Sequence, residues 1–219
     1  MARTKSRFVC QECGYVASSW LGRCPECGGW NTLVEEAEVT AKASKSYLPA
    51  NNEKLRPRTI ASVAQTKVER LATGIREFDR VLGGGVVPGS LVLLGGTPGI
   101  GKSTILLDAG LRFGQQGIKV LYVSGEESEE QTAMRAVRLG GAQANDNLLI
   151  LTATDLDAIL AQANALKPQL LIIDSIQTMY NPELQTAAGS VGQVRECTAK
   201  LLQFAKSTGI AVLLIGHVT

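Results

Sequence analysis

The amino-acid sequence predicts an α/β fold, a mostly parallel sheet covered by helices on both faces, with a small four-cysteine ribbon ahead of it. Three observations carry that prediction. From residue 91 onward, strand-length apolar runs alternate with segments of helical period. Glycine contributes 23 of 219 residues while aromatic residues make up 5%, a balance that suits the tight turns of βα units better than an aromatic-rich β-sandwich. Four of the five cysteines stand in two CxxC pairs, the last of them at residue 27.

Composition sets further limits. Apolar residues reach 45% and charged residues 19%, which permits a packed core and excludes wholesale disorder. With 22 basic against 20 acidic side chains the net charge is +2, so overall charge selects no partner class. The single histidine, His217, excludes a His-rich metal site or a His-dependent triad elsewhere in the chain. The basic first seven residues are followed by no apolar run of secretory-signal type. The longest apolar runs, residues 170–173 and 210–215, fall far below the roughly 18 residues of a membrane span. A soluble cytoplasmic protein is expected, with cysteines as thiols or metal ligands rather than disulfides.

The first element is the cysteine module. Cys10-Gln11-Glu12-Cys13 and Cys24-Pro25-Glu26-Cys27 are each followed by glycine and lie ten residues apart. A CxxC turn brings two thiolates to one ion, and the glycine admits the bend that aims backbone amides at sulfur. Two such knuckles make a closed, tetrahedral four-thiolate site of structural zinc type, with no open position for catalysis. The gap is short for such sites and implies a small ribbon with a tight hairpin. Zinc would supply folding energy that so short a module cannot draw from a core. A disulfide pair suits the wrong compartment, and a redox CxxC leaves the second knuckle unexplained. Residues 35–58, rich in Glu, Lys, Ala, Ser and Asn with Pro49 and Pro57, read as a linker, partly helical near residues 35–43.

Residues 91–94 read as a buried strand, and the segment after residue 104 as a helix with Ile105, Leu106, Ala109 and Phe113 on its apolar face. Between them lie Gly96, Thr97, Pro98, Gly99, Ile100, Gly101, Lys102, Ser103 and Thr104, the pattern GxxxxGK[ST]. Glycines let such a loop curl until successive N–H groups face phosphate oxygens, and the helix start adds the positive end of its dipole. Lys102 then reaches the β- and γ-phosphates, the Ser103 hydroxyl takes Mg²⁺, and Thr104 lies beside the nucleotide. The strand–loop–helix setting makes this a binding loop for ATP, with Mg²⁺ as cofactor. Residues 170–174 are four apolar residues ending in Asp174, the form of a Walker B strand. Its carboxylate would hold Mg²⁺ through water at the strand's C-terminal end.

The remaining elements alternate. Residues 119–124, 148–151, 170–174 and 211–216 read as strands, and residues 127–139, 155–166 and 189–207 as helices, the second opened by a Thr154/Asp155 cap. In the last helix Val191, Val194, Cys197, Leu201 and Phe204 share one face, so Cys197 is expected in the core without chemistry. Hydrolysis needs a group that polarises the attacking water. Glu126, with Glu127 as the alternative, follows the 119–124 strand and is expected beside the strand of the phosphate loop. The alternative is that both serve as acids at a helix start, since Glu129 and Glu130 follow.

At this point a family resemblance appears. Cys10-x-x-Cys13-Gly14-Tyr15 followed by Trp20-x-Gly22-Arg23-Cys24-Pro25-x-Cys27 resembles the N-terminal zinc finger of the RadA/Sms bacterial DNA-repair family. Leu71-Ala72-Thr73-Gly74-Ile75 with Phe78-Asp79-Arg80-Val81-Leu82-Gly83-Gly84-Gly85 resembles the lead-in to their RecA-like ATPase, a lead-in shared with KaiC-type ATPases. The resemblance implies a RecA-like P-loop core, a zinc finger over residues 1–34, a linker over 35–65 and an ATPase domain over 66–219. It implies Lys102, Glu126 and Asp174 as catalytic residues, and a sensor strand ending at Gly216 and His217. It also implies a DNA-stimulated ATP hydrolase of repair and recombination, acting on single-stranded and branched DNA as a helicase-like or branch-migrating motor. A homo-oligomeric ring, recombinase or replication partners, nucleoid association and no membrane go with it. That family continues with a KNRFG motif and a Lon-protease-like domain, which these 219 residues do not contain, so the ATPase part is expected to be incomplete at its C-terminus. The basic residues Arg3, Lys5, Arg7, Arg23, Arg195 and Lys200 form no dense patch. A KaiC-like signalling ATPase or nucleotide-dependent protein-binding module is the alternative. A small-molecule kinase would leave the cysteine module and the glycines at 83–85 unexplained.

Overall fold

A computed structural model describes residues 6–37, 57, 59–64, 68–141, 146–184 and 186–217. The cysteine module is a three-stranded antiparallel ribbon of strands β1 (Ser6–Cys10), β2 (Val16–Ala17) and β3 (Leu33–Ala37), ordered β2-β1-β3. Its two turns match: the Gly14 amide donates to Cys10 O and the Gly28 amide to Cys24 O, each at 2.9 Å. The core is small, with Cys10, Ala17, Cys24 and Leu33 buried and Phe8 and Tyr15 packed against them. Arg23 donates to Gly28 O at 3.0 Å and lies 5.7 Å from the centre of the Trp30 ring, tying the second turn together. The partial helix expected near residues 35–43 is corrected over its first part, because β3 runs to Ala37 in full register with β1. The rest of that segment lies outside the described residues.

The lead-in carries two short helices, α1 (Ile60–Ala64) and α2 (Arg76–Val81); α1 falls in what the sequence suggests is linker. Asp79 organises the turn before α2, accepting from the Thr73 amide and hydroxyl at 2.7 and 2.8 Å and from the Gly74 amide at 3.1 Å. The chain then folds back so that Leu71 and Val86 exchange both backbone hydrogen bonds at 2.8 Å. Gly85 sits at φ +128°, where an added Cβ would fall 2.5 Å from Leu71 O, so this crossing requires glycine.

The main domain is a five-stranded parallel sheet of β4 (Leu91–Gly96), β5 (Val120–Ser124), β6 (Leu148–Thr152), β7 (Leu170–Asp174) and β8 (Ala211–His217), ordered β4-β8-β7-β5-β6. Helices α3 (Lys102–Gln115), α4 (Glu129–Arg138), α5 (Leu156–Leu166) and α6 (Val191–Thr208) complete it. The α/β class and the strand–helix alternation are as the sequence predicts. Because side chains alternate along a strand, the three central strands each feed two cores. Val120, Tyr122, Leu170, Ile172, Ala211, Leu213 and Ile215 pack with α3. Leu121, Val123, Leu171, Ile173, Val212 and Leu214 pack with α5 and α6. Fully apolar strands of this kind are the mark of a sheet covered on both faces. Cys197 is fully buried in the second core, and burial pushes its thiol up to about 11. Among the described residues no helix is long and apolar enough to cross a membrane.

Candidate nucleotide site and metal centre

All five strands point their C-terminal ends the same way, and the phosphate loop leaves the end of β4 there. Gly96 pairs with His217 of β8. Gly99 and Gly101 take φ +78° and +97° with nothing within 4 Å of an added Cβ. The loop therefore needs glycine for its backbone path rather than for space. Gly101 caps α3, and no side chain caps the first turn, so its leading N–H groups are directed at the loop's concave side. Lys102 is buried, and its ammonium donates to Gly96 O and Thr97 O, both at 2.8 Å. Ile100 and Thr104 are exposed.

Asp174 ends β7, one strand away from β8. Ser103, on the first turn of α3, donates to its Oδ1 at 3.0 Å, joining residues 71 positions apart. Tyr122, in the middle of β5, donates to its Oδ2 at 2.5 Å. Burial first, then the Asp174 charge, drives the Tyr122 phenol far above its ordinary pKa, so it stays a donor at any working pH. The peptide between Asp174 and Ser175 is cis. An oxygen-only donor set of hydroxyl and carboxylate is the type that suits a hard cation such as Mg²⁺.

The two glutamates after β5 part company. Glu126 Oε1 accepts from the Ser175 hydroxyl at 2.8 Å and lies 3.7 Å from His217 Nε2. Glu127 instead pairs with Arg135 of α4, and its amide donates to the Ser124 hydroxyl oxygen at 3.0 Å. The expectation that this loop lies beside the phosphate-loop strand is corrected by the strand order: β8 and β7 stand between β4 and β5. Glu126 still reaches the site because Gly125 hugs the end of β7, its amide donating to Asp174 O at 2.8 Å. An added Cβ there would run into Thr178 and Met179. His217 Nδ1 is buried without a partner among the described residues.

Sequence reasoning misses Tyr122, Ser175 and Arg135. One signal for Tyr122 was present: a phenol inside the otherwise apolar run Val-Leu-Tyr-Val needs a buried hydrogen-bond partner.

In the ribbon the four sulfurs of Cys10, Cys13, Cys24 and Cys27 lie within 4.8 Å of one another. Cys10–Cys27 is 3.7 Å and Cys13–Cys24 is 3.5 Å, against the about 3.8 Å edge of a ZnS₄ tetrahedron with bonds near 2.3 Å. The set fits zinc. Burial opposes ionisation of Cys10, yet the Thr32 hydroxyl and the Cys13 and Glu12 amides outweigh it and bring that thiol down to about 6. The Gly29 amide favours the Cys27 thiolate, but burial and the three facing sulfurs push it up to about 12. Four sulfurs this close cannot all ionise without a cation between them.

Comparison with known proteins agrees with this geometry. The model of a family described as an AAA domain matches residues 52–219, and that of a rubredoxin metal binding domain matches residues 8–35. The chain is 50% identical over its whole length to a DNA repair protein RadA of Halalkalibacterium halodurans. It is 47% identical to that of Bacillus subtilis and 47% identical to that of Listeria monocytogenes. It spans about half the length of these curated relatives, 48%, 48% and 47% respectively.

Proposed function

The chain belongs to the AAA-domain family, is similar to RadA proteins along its whole length, and from that premise we propose that it binds and hydrolyses ATP with Mg²⁺ in DNA repair. The observation that carries the reading is the Ser103–Asp174 hydrogen bond at 3.0 Å, which joins phosphate loop and Walker B strand. In this reading the loop amides and the start of α3 cradle the phosphates, and the Lys102 ammonium exchanges its two carbonyl partners for β- and γ-phosphate oxygens. Ser103 and Asp174 hold Mg²⁺, which when bound neutralises charge developing on the phosphates. Glu126, held by Ser175 and near His217, orients and polarises the attacking water. Glu127 is engaged by Arg135 and takes a structural part. Zinc, held by the four cysteines, folds the ribbon.

DNA enters through the relatives, which are named for DNA repair. The reading extends to single-stranded and branched DNA as effector, a branch-migrating or helicase-like action, a homo-oligomeric ring, recombinase or replication partners, and a place in the cytoplasm at the nucleoid. The test is ATP hydrolysis with and without single-stranded DNA, for this chain and for a form as long as its relatives. Stimulation by DNA in the longer form is expected, together with a hundredfold or greater loss for Lys102→Ala. Nucleotide-driven assembly with no DNA response in either form would overturn the repair reading and favour a signalling ATPase.

A further inference from the structure

The Tyr122 hydroxyl has no task in the scheme above, yet it makes the shortest hydrogen bond to the Asp174 carboxylate. Tyr122 is 1% exposed and Asp174 8%. Register explains how they meet. Tyr122 pairs with Ile172 and Ser124 with Asp174 across β5 and β7, so tyrosine and aspartate project from the same face as diagonal neighbours, within reach of a long aromatic side chain. The ring is buried in the core that also holds Leu106, Ala109 and Ile172, where phenylalanine would fill nearly the same volume. What phenylalanine lacks is the hydroxyl.

That hydroxyl divides the carboxylate in two. Oδ2 accepts from Tyr122 at 2.5 Å and Oδ1 from Ser103 at 3.0 Å. A carboxylate fixed at one oxygen cannot rotate freely about its Cβ–Cγ bond, so Oδ1 stays facing Ser103. The Ser103 proton is then committed to Asp174, and the lone pairs of its oxygen are turned toward an incoming cation. We infer that Tyr122 is a positioning residue that orients Asp174, and through it Ser103, for a divalent cation bound with nucleotide. The inference rests on the ATPase reading above.

The test reads affinity rather than turnover. The dissociation constant of a fluorescent ATP analogue is measured in Mg²⁺ and in EDTA, and the ratio of the two is the contribution of the metal. Wild-type chain binds more tightly in Mg²⁺. In Tyr122→Phe the ratio falls about tenfold, the size of one lost charge-assisted hydrogen bond, while affinity in EDTA is unchanged. Val120→Ala, a truncation on the same face of the same strand, lowers thermal stability and leaves the ratio intact. An unchanged ratio in Tyr122→Phe overturns the inference alone. An equal fall in Val120→Ala also overturns it, since packing would then account for the effect. A wild-type chain indifferent to Mg²⁺ removes the ATPase reading as well. Should the Phe variant not fold, ¹³Cζ-tyrosine labelling gives a second measure. With Tyr15, Tyr47 and Tyr180 each replaced by phenylalanine, the one remaining tyrosine signal, that of Tyr122, shifts when Mg²⁺ joins the nucleotide complex, and no shift overturns the inference.

Discussion

Glu126 and Glu127 are chemically alike and adjacent, and only their partners separate them. The Glu126 carboxylate accepts the Ser175 hydroxyl just after β7 and lies near His217, while Glu127 is tied to Arg135 on α4. On the proposed reading, in which Glu126 is the general base, Glu126→Gln is expected to lower kcat by two to four orders of magnitude while nucleotide still binds, since the cradle is left alone. Glu127→Gln keeps turnover within a few fold. Its cost is stability, below about 1 kcal/mol, because the pair it breaks is partly solvated. Steady-state kinetics and thermal melts of both variants check this. A loss of turnover in Glu127→Gln with Glu126→Gln active would reverse the assignment. The sequence places both acids at the end of a strand but carries no sign of which one turns toward β7.

At the scale of elements, α4 decides where that pair points, because its first turn fixes the exit of the chain from β5. Ser128 and Gln131 form a reciprocal capping box: the serine oxygen accepts from the Gln131 amide at 3.3 Å and the glutamine oxygen from the Ser128 amide at 3.0 Å. Ser128→Ala removes half of it and is expected to cost about 1 kcal/mol, with helix fraying at residues 129–132. Faster amide exchange in the first turn, with β5 still protected, is the expected signature; uniform exchange across the domain would contradict it. The acidic first turn is written locally, which is why a helix is legible here, but the sequence places its start at residue 127 and the Ser128 cap moves the start to Glu129. Gln193 of α6 is the opposite case. It is a buried polar residue whose amide donates to Asn181 O and Thr186 O at 3.3 and 2.9 Å, pinning the segment that leaves β7. No period or spacing announces it.

In the whole molecule, the two parts are built by different means, one around a four-cysteine set that fits zinc and one around two apolar cores on either face of a sheet. Thiol chemistry separates them. Metal-loaded chain is expected to carry about one zinc and to show no fast-reacting thiol. A chelator exposes the four ribbon cysteines, and the fifth, Cys197, reacts only in denaturant, because it is fully buried and its thiol is pushed up to about 11. Acid acts like the chelator, since thiolate ligands must be deprotonated to hold zinc. Reaction of Cys197 in the native chain would show that the core on the α6 side opens. By itself the sequence determined the α/β class, the place of the phosphate loop, the Asp174 strand end and the four-cysteine set. Each is a matter of period or spacing among neighbouring residues, and such signals are local. Only the tertiary structure decided the order β4-β8-β7-β5-β6, and with it the meeting of Ser103, Tyr122 and Glu126 at the end of β7. Those contacts join residues 71, 52 and 49 positions apart, and they exist because two crossovers insert β7 and β8 between strands that the chain makes earlier. Packing of the completed sheet sets that choice, and no run of contiguous residues encodes it.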